Sequence, residues 1–207
     1  MQLILLGLSC LLLVASTILS MTVGASSDPI YNIVYIHVPA AGTSLLCFAV
    51  LFVCSIQYIR TTNIHWDRTA LAGAEVGLLF ATVLNVTGSI WAHAAWGVWW
   101  TPTLRLISSA MLWFLYVAYL ILRASLANEV RKELISAVLA VIAFIDVPLV
   151  YISARYVRDI HRPSVTFESP WQTVALVTAM GGAILLAIVL IRMKTHILHA
   201  NTQLTKR

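Results

Sequence analysis

The chain has 207 residues, of which 60% are hydrophobic and 10% charged, and its mean hydropathy is +0.91. A soluble domain carries about a quarter charged residues and roughly half apolar ones, so this balance excludes a water-soluble enzyme, a nucleic-acid-binding domain and a disordered chain. The formal net charge of +5 calls for no acidic partner, because basic residues at the cytoplasmic ends of membrane helices give the same balance.

Apolar stretches recur near 2–23, 38–59, 70–90, 104–123, 133–154 and 171–191. A membrane helix takes about 20 residues, so six would use roughly 120 and leave short loops. The sequence therefore predicts an all-α integral membrane protein, one domain over 1–207, built as a bundle of six transmembrane helices. Val23-Gly24-Ala25 resembles a signal-peptide cleavage site. The first span nevertheless reads as a retained helix: it has no basic residue at its start, and its apolar core is longer than the usual signal. Ser26-Ser27-Asp28-Pro29, Thr61-Thr62-Asn63 and the polar run from Asn128 to Glu133 mark breaks between spans. Six spans put both termini on one side. That side holds nine of the lysines and arginines (Arg60, Arg68, Arg123, Arg131, Lys132, Arg192, Lys194, Lys206, Arg207), against four (Arg105, Arg155, Arg158, Arg162) on the other. The bias makes the termini cytoplasmic and turns the loops at 24–37, 91–103 and 155–170 outward.

The first outward loop ends in Tyr35-Ile36-His37-Val38-Pro39-Ala40-Ala41, and the third holds His161-Arg162-Pro163. Both histidines stand in an H-x-P triplet. Proline fixes its own backbone and pushes the preceding residue towards an extended form, so each imidazole is expected on a stiff, non-helical turn, with Pro39 suited to the first turn of the next helix. The middle outward loop carries Trp91, His93, Trp96, Trp99, Trp100 and, just beyond it, Arg105. Trp96, Trp99 and Trp100 are spaced so that a short helix would show all three on one face. Two readings of the indoles stand side by side: an interfacial belt, or a flat surface for a large flat ligand, with Arg105 pairing to a carboxylate at its edge. His93 is a candidate third ligand, but its alanine-rich surroundings read first as a loop, and His65, His196 and His199 fall at the opposite, inner end.

The remaining candidates lie inside the spans. Glu75 falls near the inner end of the third, within reach of water, and Asp146, followed by Pro148, deeper in the fifth. Membrane acids need partners; packing is the first reading for both, and a transporter or structural subunit working through these two acids, with the tryptophans only a belt, is one reading of the whole protein. Cys47 and Cys54, on one helix face, read as small core residues. With Cys10 they form no C-x-x-C pair or C-x-x-C-H site, which excludes a disulfide scaffold and a covalent cytochrome c.

Two imidazoles, a bed of indoles and a closing arginine match haem: iron takes axial histidines, the porphyrin face is apolar and the propionates are anionic. A cytochrome carrying electrons across the membrane would bury its histidines inside the helices, and no span has one near its middle. A retinal protein needs a membrane lysine, but Lys132, Lys194 and Lys206 lie at helix ends or in the tail.

Together the Y-I-H-V-P-A-A segment, Thr87-Gly88-Ser89-Ile90-Trp91, Trp96-Gly97-Val98-Trp99-Trp100 and His161-Arg162-Pro163 resemble the CcmC family, the haem-handling (haem exporter) membrane proteins of cytochrome c maturation with a tryptophan-rich outward loop. The resemblance covers essentially the whole chain. It implies a b-type haem, non-covalent and in transit, held at the outer face between His37 and His161 and against Trp91, Trp96, Trp99 and Trp100. It also implies hand-over to a periplasmic haem chaperone, CcmE, beside the CcmA/CcmB ATP-binding-cassette complex and the small subunit CcmD, in the bacterial inner membrane. That is transfer rather than enzymatic catalysis, with a lyase-like part in attaching haem to the chaperone left open. One departure stands out. Where the family loop runs W-G-x-W-W-x-W-D, this chain has Pro102 and Thr103 at the last pair, while Arg105 and Leu106 keep their places.

Overall fold

A computed structural model describes residues 1–22, 29–156, 167 and 169–205. Its helices are α1 (Gln2–Met21), a 3-10 helix (Pro29–Ile33), α2 (Val34–Thr61), α3 (Ile64–Trp96), α4 (Leu104–Ser125), α5 (Glu129–Ala143), α6 (Asp146–Tyr156) and α7 (Pro170–Thr205). Among the described residues six stretches are long and apolar enough to cross a membrane, α5 and α6 together supplying the fifth over Arg131–Ser153. No strand occurs among the described residues.

The helices outrun the apolar windows because their ends are polar and separately capped. The Asn63 side chain accepts from the His65 N–H at 2.9 Å and Asn128 from the Arg131 N–H at 3.0 Å, satisfying amides that the first turn leaves open. Gly97, at φ 75°, closes α3 in the left-handed conformation that glycine adopts at no steric cost. The fifth span is broken at Phe144–Ile145, where a single helix was expected. Pro148 explains the break: it has no N–H for the Phe144 carbonyl, and its ring collides with that group.

Consecutive spans run antiparallel. Cross-helix pairs show it, with His37 at the start of α2 beside Thr87 near the end of α3, and Arg123 at the end of α4 on Asp67 at the start of α3. Helix α2 is central, packed against α3, α5 and α7, while α1 lies mainly on α7 and α6 on α4. The Phe48 ring stacks on Tyr116 with centroids 3.8 Å apart, both fully buried. Small residues let α3 close on α2: a Cβ at Gly77 would stand 2.7 Å from Phe48 Cε1, the close backbone approach by which membrane helices associate. Cys47 and Cys54 are buried in this seam, as expected, whereas Cys10 is exposed on α1. Large apolar side chains such as Leu3, Val53, Phe114 and Val177 point outward, the surface a bilayer would cover.

Candidate functional site

His37 is the fourth residue of α2, not part of a non-helical turn. The 3-10 helix Pro29–Ile33 runs straight into Val34, so the chain is already wound when it reaches the triplet. Pro39 denies the Tyr35 carbonyl its N–H partner, yet α2 continues through it, its fixed φ being helical. The half-buried imidazole meets α3, with its Nδ1 3.0 Å from Thr87 Oγ1. A Cβ on Gly88 would stand 3.0 Å from His37 Cε1, so the ring lies against the bare backbone there.

Trp91 follows Thr87 by four residues and is therefore one turn further out on the same face of α3. Its indole meets that of Trp96 edge to face, with centroids 4.8 Å apart. Both are half-buried. The short helix expected to carry Trp96, Trp99 and Trp100 on one face does not form: α3 ends at Trp96, Gly97 stops the helical register, and Trp99 and Trp100 lie in the following loop. His93 is likewise in the last turn of α3 rather than in a loop, and its ring stacks flat on Trp99 at 4.1 Å. Trp99 is 60% exposed and Trp100 49%, so indole surface remains open at this end. Arg105 is half-buried in the first turn of α4. Thr103 accepts from the Leu106 N–H at 3.4 Å, so this residue, at the position of the family's aspartate, serves as the α4 N-cap.

An apolar cavity of about 550 Å³ lies between α1, α2, α3 and α7, with Ile33, Ala40, Phe80 and Val83 in its wall. Ile33, the last residue of the 3-10 helix, and Ala40 of α2 lie on either side of His37 along the chain, and Val83 is one turn from Thr87, so the cavity adjoins the histidine contact. His161, with Arg162 and Pro163, lies outside the described residues. The helix preceding it, α6, is tied to the same end of the bundle, for Ser153 Oγ is 3.1 Å from Ser108 Oγ in the second turn of α4.

The opposite end is a polar lock that the sequence reading missed. Arg123 grips Asp67 through two hydrogen bonds of 2.7 and 2.5 Å, with both residues buried. Glu75 pairs with Lys194 at 2.7 Å, the partner a membrane acid needs. His65 Nδ1 is 3.1 Å from His199 Nε2, and Arg68 bonds His199 Nδ1. No group of three metal-ligating side chains occurs among the described residues. Asp146, at the start of α6, is buried, and its Oδ2 has no hydrogen-bond partner.

The six apolar spans, with a histidine contact and a tryptophan-rich stretch at one end, define a multi-pass integral membrane protein. The profile of CcmC, heme exporter protein C, matches residues 1–207, and the chain belongs to this family. Heme exporter protein C of Escherichia coli (strain K12) is 28% identical over 138 residues, 67% of this chain and 56% of that protein. Its Rhodobacter capsulatus namesake is 24% identical over 184 residues, 84% of this chain and 76% of that protein. A putative cytochrome c biosynthesis ccmC-like mitochondrial protein of Marchantia polymorpha is 29% identical over 134 residues, 65% of this chain and 56% of that protein. The matches thus span little more than half the length of the Escherichia coli and Marchantia proteins.

Proposed function

We propose that this chain holds haem at the tryptophan end of its bundle and passes it to a partner during c-type cytochrome maturation. The observation that carries the reading is the setting of His37, braced by Thr87 and Gly88 beside an aromatic cluster, in a chain of the heme exporter protein C family. His37 and His161 are the axial ligands. Trp91, Trp96, Trp99 and Trp100 supply apolar faces, and Arg105 takes a propionate. The haem is b-type, non-covalent and cargo in transit, so the protein contributes binding and orientation rather than bond-making. The tryptophan end faces the periplasm, the termini face the cytoplasm, and the membrane is the bacterial inner membrane, in line with the arginine and lysine bias. The receiving protein is the chaperone CcmE, and CcmA, CcmB and CcmD are the associated complex.

Chain purified from haem-replete cells should show a Soret band of six-coordinate, bis-imidazole character and should co-purify with CcmE. His37→Ala and His161→Ala should each abolish that spectrum; an unchanged spectrum in both would overturn the ligand assignment. Asp146 favours the rival, a haem-free transporter, because its carboxylate oxygen is buried without a partner. A colourless preparation with substrate-coupled proton uptake, lost in Asp146→Asn, would decide for that reading.

A further inference from the structure

The hydrogen count at Thr87 fixes more than a contact. Its Oγ1 stands 2.7 Å from the Val83 carbonyl oxygen and 3.2 Å from that of Leu84. A threonine hydroxyl has one proton and a carbonyl has none to give, so that proton belongs to the helix's own backbone, the usual back-bonding of a helical threonine. Only lone-pair density remains at Oγ1 for His37, whose Nδ1 is 3.0 Å away. Nδ1 is therefore the donor. A neutral imidazole carries a single N–H, which leaves the lone pair on Nε2. Imidazole binds metals through such a lone pair, and an acceptor on the other ring nitrogen sets the tautomer and ring orientation. Gly88 completes the arrangement, since a side chain there would press on Cε1, between the two nitrogens.

We propose that Thr87 is a positioning residue that holds His37 with Nδ1 protonated and Nε2 presented to iron, and that Gly88 gives the ring room to reach it. The purpose of this arrangement rests on the reading of His37 as a haem ligand, whereas the tautomer is a property of the haem-free chain. The two can therefore fail separately.

The test is nitrogen NMR on the full chain with labelled histidine, haem-free in lipid nanodiscs, at alkaline pH where the ring is neutral. The parent should show His37 protonated at Nδ1. Thr87→Ser, which keeps the acceptor, should preserve that signature. Thr87→Val, which keeps the shape but not the acceptor, should lose it and show a mixture. On titration with ferric haem, Thr87→Val should bind about 10–100-fold more weakly, the range for losing such a partner, with Thr87→Ser close to the parent. A parent His37 protonated at Nε2, or a Thr87→Val chain with an unchanged tautomer, would overturn the proposal. If the tautomer is as stated but haem does not bind, the ligand reading falls and the Thr87 assignment stands.

Discussion

Gly88 and Gly97 serve opposite ends of the same idea. Gly97 earns its place by backbone conformation, at φ 75° with nothing near its missing side chain, and Gly88 by proximity, with the His37 ring against it. Gly88→Ala should therefore push the imidazole aside by a few tenths of an ångström and weaken haem binding by about tenfold, measured by absorbance titration. The helix itself should tolerate the change, because alanine is the better helix former. Thr103 is the second telling residue. Its sequence position reads as a lost carboxylate, yet its hydroxyl caps α4, a task aspartate also performs. Thr103→Ala should lower stability by about 0.5–2 kcal/mol in thermal unfolding, while Thr103→Asp should keep the cap. No residue-by-residue scan could have supplied the hydrogen bond to His37, because Thr87 lies fifty positions away and its role depends on two helices meeting.

At the level of elements, hydropathy found all six spans because lipid-facing side chains dominate the composition of each. It misplaced their ends because caps such as Asn63 and Asn128 and polar end turns carry no apolar signal. The tryptophan loop shows a different failure. The spacing of Trp96, Trp99 and Trp100 fits a helix, but Gly97 interrupts it, and the glycine outranks the periodicity. Pro148 was visible as well; its consequence, the break at Phe144–Ile145, follows only when the residue four places back is considered. The α2–α3 seam is open to direct test. Gly77→Ala would bring a Cβ to 2.7 Å from Phe48 Cε1, and Phe48 is held on its other side by Tyr116. Overpacking of this kind costs about 1–3 kcal/mol, and thermal melting in detergent should show it.

For the molecule as a whole, the two ends of the bundle divide the work. The tryptophan end keeps indole surface exposed, while the other is pinned by Asp67 and Arg123 across α3 and α4 and by Tyr58 and Glu133 across α2 and α5. Breaking a buried pair leaves one charge uncompensated, so Asp67→Ala should destabilise the chain by about 3–5 kcal/mol. Replacing both partners, Asp67→Leu with Arg123→Met, should recover most of that loss in thermal unfolding. In the sequence Arg123 is only a marker of sidedness, since a charge pair between two helices is a tertiary fact.

The length of α3 carries a last consequence. Its 33 residues rise about 50 Å, against roughly 30 Å of hydrocarbon, and the six residues from Trp91 to Trp96 add about 9 Å beyond its apolar stretch. Trp91 and Trp96 therefore reach the headgroup layer only in a bilayer of matching thickness. Lipids with longer tails would submerge them, or tilt the bundle to compensate. Indole emission should shift to shorter wavelength as acyl chains lengthen, so the surrounding lipid acts as a depth gauge for the tryptophan end.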